Sequence, residues 1–285
     1  MKLLITGAGG KLGGYLMQEA RERGITVEGW SRSVVGENLV QIELTDSSQV
    51  IERISLLEPD AVIHSAAMST VAECFRNPEG SRATNQRASG LLAKWCGQNR
   101  VRLVSVSTDM VFDGEGAPYD EASSPHPCTE YGRSKLAAEQ AVLENAQALV
   151  VRVALLCGRT RTKNRSFFDA LLDQLREEKI VRAFADEWRT PLFLGDAASA
   201  LLDLAARKDA GVLHLGGPDR LSRFEMCQRI AARLGAPGHS IEPSSRLDGG
   251  FEEPRQRDLS LSSRRVGELL PAFRPRSIEE AFTGF

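Results

Sequence analysis

Short runs of consecutive apolar residues alternate with longer stretches whose apolar positions recur every three or four residues, and this alternation repeats through the first half of the chain. An unbroken apolar run suits a strand covered on both faces, and the wider spacing suits an amphipathic helix. Residues 2–6 are therefore predicted as a first strand and 12–22 as the helix after it, which Gly24 ends. Residues 26–30 and 39–44 follow as second and third strands. Val50, Ile51, Ile54 and Leu57 fall on one face of a helix over 48–57. Further strands are expected at 61–65, 102–107 and 148–157, with helices over 85–98 and from Tyr131 onward. Such alternation predicts an α/β fold built on a parallel sheet.

The second half reads differently. Residues 160–165 form a polar, basic loop, 166–178 a helix and 211–215 one more strand. Ser222 with Glu225 makes a capping box that opens a helix running to Arg233. Beyond Ala236, prolines and glycines punctuate short elements, as in a small lobe built from excursions of the chain.

Composition narrows the class. With 42% hydrophobic and 26% charged residues, 285 residues suffice for one large α/β domain with a smaller lobe. A net charge of −2 gives no reason to expect nucleic acid or an anionic membrane as partner. No apolar run is long enough to span a bilayer, and glycines follow the first apolar residues where a signal peptide would continue. The 5 cysteines are scattered without a C-x-x-C pair, so reduced thiols in a cytoplasmic protein are expected. His64, His126, His214 and His239 are equally dispersed, and no metal is expected.

Thr6-Gly7-Ala8-Gly9-Gly10-Lys11-Leu12-Gly13 follows the first strand directly and opens the first helix. Gly7 permits a tight turn, Gly10 lets the backbone approach a pyrophosphate, and Gly13 allows close helix packing. The helix start then offers unpaired N–H groups to phosphates. This is a Rossmann-like, doubly wound arrangement, with Gly7, Gly9, Gly10, Lys11, Leu12 and Gly13 as cofactor-binding candidates. Lys11 either adds positive charge there or is simply solvated. The second strand ends in Ser31-Arg32 where an NAD-preferring site usually has an acidic residue, and a hydroxyl and a guanidinium suit a 2′-phosphate. NADPH (NADP) is the cofactor expected, with NADH as the alternative. Asp46 either accepts from the adenine amino group or caps the next helix. Ala66 and Ala67 are small enough for a cofactor to lie over the backbone. Residues 1–158, rejoined by 195–215, are expected as the dinucleotide-binding Rossmann domain, and 159–194 with 216–285 as a smaller carboxy-terminal substrate-binding lobe.

Tyr131 and Lys135 lie one helical turn apart. A free tyrosine titrates near ~10, so proton exchange at neutral pH needs a nearby cation, which Lys135 would supply while also holding the nicotinamide ribose. Thr108, at the end of a buried strand, is the candidate donor to a substrate carbonyl, with Ser107 as fallback. Asp109 either binds substrate or turns the chain, and Asn85 either supports a water relay or caps its helix. Arg159, Arg161, Lys163 and Arg165 form a basic run that either meets a diphosphate or is solvated, and Arg189, Arg255 and Arg257 are alternatives. Trp188 either stacks on a base or fills the core.

These stretches resemble the extended short-chain dehydrogenase/reductase family, and within it the dTDP-4-dehydrorhamnose reductases, over nearly the whole chain. The likeness is carried by residues 6–13, by Ser107-Thr108-Asp109-Met110-Val111-Phe112-Asp113-Gly114, by 131–139, by Arg189-Thr190-Pro191 and by 213–218. The resemblance implies hydride delivery from NAD(P)H to C4 of a nucleotide-linked 4-keto-6-deoxy sugar. It implies that Thr108 polarises the ketone, Tyr131 protonates the alkoxide and Lys135 tunes Tyr131, with Asp109, Leu155 and Arg189 beside the substrate. Arg152-Val153-Ala154-Leu155 stands where these reductases carry Arg-Thr-Ser-Trp, and residues 68–74 lack their Asp-Lys pair. Both departures bear on sugar recognition. The partner implied is a nucleotide sugar, and a homodimer is expected. Two alternatives remain: an epimerase or dehydratase with retained NAD, and a non-catalytic NADP-binding regulatory subunit like the methionine adenosyltransferase β subunit.

Overall fold

The computed structural model describes residues 1–33, 35–160 and 166–283. Its strands β1 (Lys2–Thr6), β2 (Thr26–Ser31), β3 (Leu39–Gln41), β4 (Ala61–His64), β5 (Arg102–Thr108), β6 (Leu149–Val153) and β7 (Gly211–Leu215) form one parallel sheet. The order across it is β7-β6-β5-β4-β1-β2-β3. The chain winds outward from β1 to β3, then crosses back to β4 on the other side. That reversal opens a crevice at the carboxyl ends of β1 and β4, where ligands bind in such sheets.

The strand interiors are largely apolar because both faces are covered. Leu3, Ile5, Ile63, Val104 and Val151 enter one core, and Leu4, Val62, Leu103 and Val150 enter the other. Helices α1 (Lys11–Glu22) and α2 (Ser47–Leu57) follow β1 and β3, and α3 (Ala88–Asn99) and α4 (Glu130–Leu143) precede β5 and β6. Later in the chain come α5 (Phe167–Arg176), α6 (Leu194–Ala205) and α7 (Arg223–Arg233). α6 packs along α1 and buries nine residues, Leu201 and Leu204 among them. Phe168 of α5, Ile230 of α7 and Phe282 join the same core as Leu3 and Ile5, so the late elements are fused to one face of the sheet.

Several expectations need correction. The third strand stops at Gln41, because β2 ends at Ser31 and offers only Gly29 to Ser31 for pairing. Ile42 and Leu44 remain buried, so their apolar character reports the core and not the ladder. The expected strand over 148–157 divides: β6 ends at Val153, and Leu156–Cys157 pairs instead with Leu192–Phe193. The loop after β4 contains a helix, Val71–Arg76, and the helix expected at 85–98 begins at Ala88, preceded by a π turn over Arg82–Arg87. The expected Ser222–Glu225 capping box opens α7, and a second, Ser166–Asp169, opens α5. Arg161, Lys163 and Arg165 lie outside the described residues.

Candidate active site

The glycine turn closes tightly on β4. Gly7 has φ +72°, and a methyl there would lie 2.7 Å from the Ala66 Cα. At Gly13 a methyl would lie 2.1 Å from the Gly7 carbonyl oxygen, so only glycine lets α1 start this close to the turn. Gly10 caps α1 without a side-chain hydrogen bond, and a methyl on it would meet only the Gly7 oxygen, at 3.0 Å. The N–H groups of Lys11, Leu12 and Gly13, at the first turn of α1, therefore have no intrahelical acceptor. Gly9 lies in the turn and Lys11 is exposed. Ser31 is buried at the end of β2 and Arg32 is exposed beside it. Asp46 caps α2, accepting from the Gln49 N–H at 3.0 Å. Ala66, half-buried with Ala67, donates its N–H to the Thr6 hydroxyl at 3.3 Å.

Thr108 is the last residue of β5, and its hydroxyl accepts from the Met110 N–H at 3.2 Å while donating to Asp109 Oδ1 at 3.1 Å. Tyr131 stands in the first turn of α4, which Thr129 caps. A methyl on Gly132 would lie 2.3 Å from the Met110 carbonyl oxygen. The glycine beside Tyr131 thus lets α4 touch the turn after β5, which brings the Tyr131 phenol close to Thr108. Burial pushes this phenol well above its ordinary titration range. Lys135 is buried and donates to the Val106 carbonyl at 2.8 Å. Burial pulls it down to about 8, against the opposing charge of Glu139.

Asn85 is not a helix cap. It sits inside the π turn, takes the Met68 N–H at 2.8 Å, and donates to the Met68 carbonyl at 3.0 Å and the Ser134 hydroxyl at 2.9 Å. One amide thus ties the loop after β4 to the helix that carries Tyr131. Ser107 is turned away from Tyr131 and donates to Glu139 at 2.5 Å, which leaves Thr108 as the hydroxyl at the site. Glu139 also holds Arg152 at 2.7 Å, and both side chains are almost fully buried. This pair joins α4, β5 and β6 behind the site.

A cavity of about 530 Å³ opens beside the turn after β5, with Asp109, Thr129, Leu155 and Arg189 on its wall. Asp109 both starts the turn after β5 and lines the cavity, 3.8 Å from the Arg189 Nε. Arg189 is committed inward: it donates to the Trp188 carbonyl at 2.7 Å and lies 3.5 Å from Glu187. Glu187 is fully buried and also meets Arg223 at 2.9 Å and Arg255 at 2.7 Å, and these guanidiniums hold its carboxyl down to about 2. Arg257 instead pairs with Glu115 at the surface, 3.4 Å away. Trp188 is half-buried under Arg220, whose guanidinium lies 5.1 Å from the ring centroid, so it fills none of the three apolar cores. The Arg159 carbonyl accepts from the Tyr15 hydroxyl at 2.8 Å.

None of these features is diagnostic singly, but their order along one sheet is that of the extended short-chain dehydrogenases/reductases, and this chain has that architecture. A sequence model of the family described as RmlD substrate binding domain matches residues 1–281, and the chain belongs to that family. It is 33% identical over 272 residues to the probable low-salt glycan biosynthesis reductase of Haloferax volcanii, covering 92% of this chain and 91% of that one. It is 34% identical over 274 residues to the dTDP-4-dehydrorhamnose reductase of Mycobacterium tuberculosis, covering 93% and 86%. It is also 30% identical over 270 residues to the methionine adenosyltransferase 2 subunit beta of Bos taurus, covering 92% and 80%. A solved structure of a hypothetical dTDP-4-dehydrorhamnose reductase from Sulfolobus tokodaii matches with TM-score 0.89 at 30% identity, over 98% of this chain and 99% of that one. The Bacillus anthracis dTDP-4-dehydrorhamnose reductase, solved in complex with NADP, shares the fold with TM-score 0.88 at 24% identity, over 99% and 96%. Two of the three sequence relatives are named as reductases, which supports an oxidoreductase. Among the described residues, no helix is long and apolar enough to cross a membrane.

Proposed function

We propose that this chain is an NADPH-dependent reductase of a nucleotide-linked 4-keto-6-deoxy sugar, with Tyr131 as the proton donor. The observation that carries this is the juxtaposition of Tyr131, in the first turn of α4, with Thr108 at the carboxyl end of β5, next to a sugar-sized cavity whose wall includes their neighbours Asp109, Met110 and Thr129. The residues fit a dinucleotide phosphate: Gly7 and Gly13 leave no room for a side chain, and the first N–H groups of α1 are unpaired. Exposed Arg32 with Ser31 suits a 2′-phosphate, Ala66 and Ala67 leave space along the backbone, and Asp46 keeps a second carboxylate oxygen for the adenine side. Bound NADPH would supply the hydride to C4. Thr108 and Tyr131 then direct hydroxyls at the ketone oxygen, where negative charge develops, and Tyr131 gives up its proton to that oxygen. Lys135 lies one turn further along α4 with its ammonium buried, placed to hold the ribose and to steady the phenolate left behind. Leu155 and Asp109 would face the sugar, and Arg189 would position Asp109 without touching substrate. On this proposal 1–158 with 195–215 hold the cofactor, and 159–194 with 216–285 the substrate.

Tyr131→Phe tests it. NADPH oxidation with dTDP-, UDP- and GDP-linked 4-keto sugars is expected to fall about 10²–10⁴-fold, while NADPH binding, followed by fluorescence, stays unchanged. Near-native turnover in the variant would remove Tyr131 from its role. A regulatory subunit is the second reading, favoured by the likeness to the methionine adenosyltransferase subunit. It predicts NADPH binding without turnover on any of these sugars.

A further inference from the structure

His64 ends β4, is buried, and takes no part in the proton chemistry above. Both of its ring nitrogens are engaged. Nδ1 lies 2.7 Å from the hydroxyl of Thr6, the residue before Gly7, and Nε2 lies 2.9 Å from the Ser89 hydroxyl on α3. Ser89 donates its one proton to the Asn85 carbonyl, which can only accept. The Ser89 oxygen must therefore receive an N–H from Nε2. A neutral imidazole has one N–H, so Nδ1 is bare and takes the Thr6 proton. The Thr6 oxygen is then left to accept the Ala66 N–H, at 3.3 Å. Burial, with the charge of Lys135 adding to it, pulls His64 down to about 3 and keeps the ring neutral.

The same order continues beyond Asn85. Its amide nitrogen donates to the Ser134 hydroxyl at 2.9 Å, and Ser134 donates to the Tyr131 carbonyl at 2.8 Å. The amide cannot be turned over, because its oxygen already takes the Met68 N–H. Every donor from the Ala66 N–H to the Tyr131 carbonyl thus points the same way. Thr6, His64, Ser89, Asn85 and Ser134 expose no more than 2% of their surface, so bulk water cannot replace a lost link. Hydrogen bonds aligned in a dry interior also polarise one another.

We propose that His64 is a positioning residue, which as the Nε2–H tautomer couples occupancy of the glycine turn to the seating of Tyr131. Through it the turn and the first turn of α4 share one hydrogen-bonded line. Hydride and proton go to adjacent atoms of one carbonyl, so their two carriers gain from a common reference. The inference rests on reading the glycine turn as a cofactor site, and on no particular sugar.

The test uses adenosine 2′-phosphate 5′-diphosphate, which carries the phosphates of NADP and lacks the nicotinamide ribose. It can fill the turn without reaching α4. Hydrogen exchange, read by mass spectrometry, is expected to slow on binding over residues 5–14 and over 130–136, by about fivefold at the second stretch. His64→Phe keeps a ring and removes both hydrogen bonds, and Ser89→Ala cuts the line with His64 in place. Each is expected to keep the slowing over 5–14, which shows a folded protein with its turn occupied, and to lose it over 130–136. Long-range proton–nitrogen NMR of the wild type, with the His64 signals assigned by their absence from His64→Phe, is expected to show Nε2 protonated and Nδ1 bare. The opposite tautomer, no slowing at α4 in the wild type, or slowing there that survives both substitutions overturns the proposal. Loss of slowing over both stretches in both variants reduces His64 to a structural role and overturns it too. Coupling present without turnover of any 4-keto sugar removes the reductase reading and leaves this inference standing. A chain that binds neither the fragment nor NADPH ends both.

Discussion

Replacing Lys135 by methionine is expected to raise stability at neutral pH while abolishing turnover. The ammonium is buried, donates to a single carbonyl, and titrates at about 8 where 10.5 is ordinary for lysine. At about 1.4 kcal/mol for each tenfold change in proton affinity, that displacement costs the folded state about 3 kcal/mol. Between pH 8 and 10.5 the unfolded chain holds more protons at this site than the folded one, so stability rises with pH across that window and the penalty is complete below it. Methionine keeps the length of the side chain and removes the charge, but leaves the Val106 carbonyl without its donor, a loss of about 1 kcal/mol. The expected net gain at pH 7 is about 2 kcal/mol. Urea unfolding of wild type and variant at pH 7 and pH 10.5, followed by tryptophan fluorescence, isolates this site, because all other titrations cancel in the difference. The gap shrinks as pH rises and ends near zero or slightly reversed. A variant less stable than wild type at pH 7, or a gap equal at both pH values, would refute the argument.

Gly13→Ala places a methyl 2.1 Å from the Gly7 carbonyl oxygen, so the turn must shift. Fluorescence titration is expected to show NADPH affinity reduced tenfold or more, and a thermal melt a loss of about 1–3 kcal/mol. Arg32→Glu is expected to weaken NADPH by about 10–100-fold while leaving NADH nearly unaffected, measured by the same titration. Glu139→Ala strands the Arg152 guanidinium, whose side chain is 5% exposed, and should cost about 3–5 kcal/mol in urea unfolding. Glu139→Leu combined with Arg152→Met is expected to recover most of that loss.

What the chain discloses by itself depends on how local each interaction is. The β-α alternation was legible because burial on both faces of the sheet writes unbroken apolar runs, as at Leu3-Leu4-Ile5. The glycine turn and the Tyr131–Lys135 spacing were legible for the same reason, since each is complete within a few residues. Glu187 and its guanidiniums were not, because Arg223 and Arg255 arrive from elements far along the chain, and only Glu187-Trp188-Arg189 hints at a shared strand face. Periodicity misled at residues 39–44, where buried Ile42 and Leu44 belong to the core without belonging to a strand. The π turn at Arg82–Arg87 also leaves no mark in composition, since it differs from an ordinary helix only in its hydrogen-bond register.

The manner in which Asn85 holds residue 68 has an evolutionary consequence. Both amide atoms engage the main chain of Met68, so the segment after β4 is fastened by atoms that every amino acid possesses except for the N–H of proline. Whatever side chain stands at position 68 is thereby relieved of that duty, while buried Cys74 adds a thiol bond to the same carbonyl. The exposed positions Ser69, Thr70 and Glu73 can therefore change while the segment keeps its place, which fits a chain that lacks the Asp-Lys pair and keeps the architecture. Change at these positions is thereby uncoupled from the packing of α4 against β5.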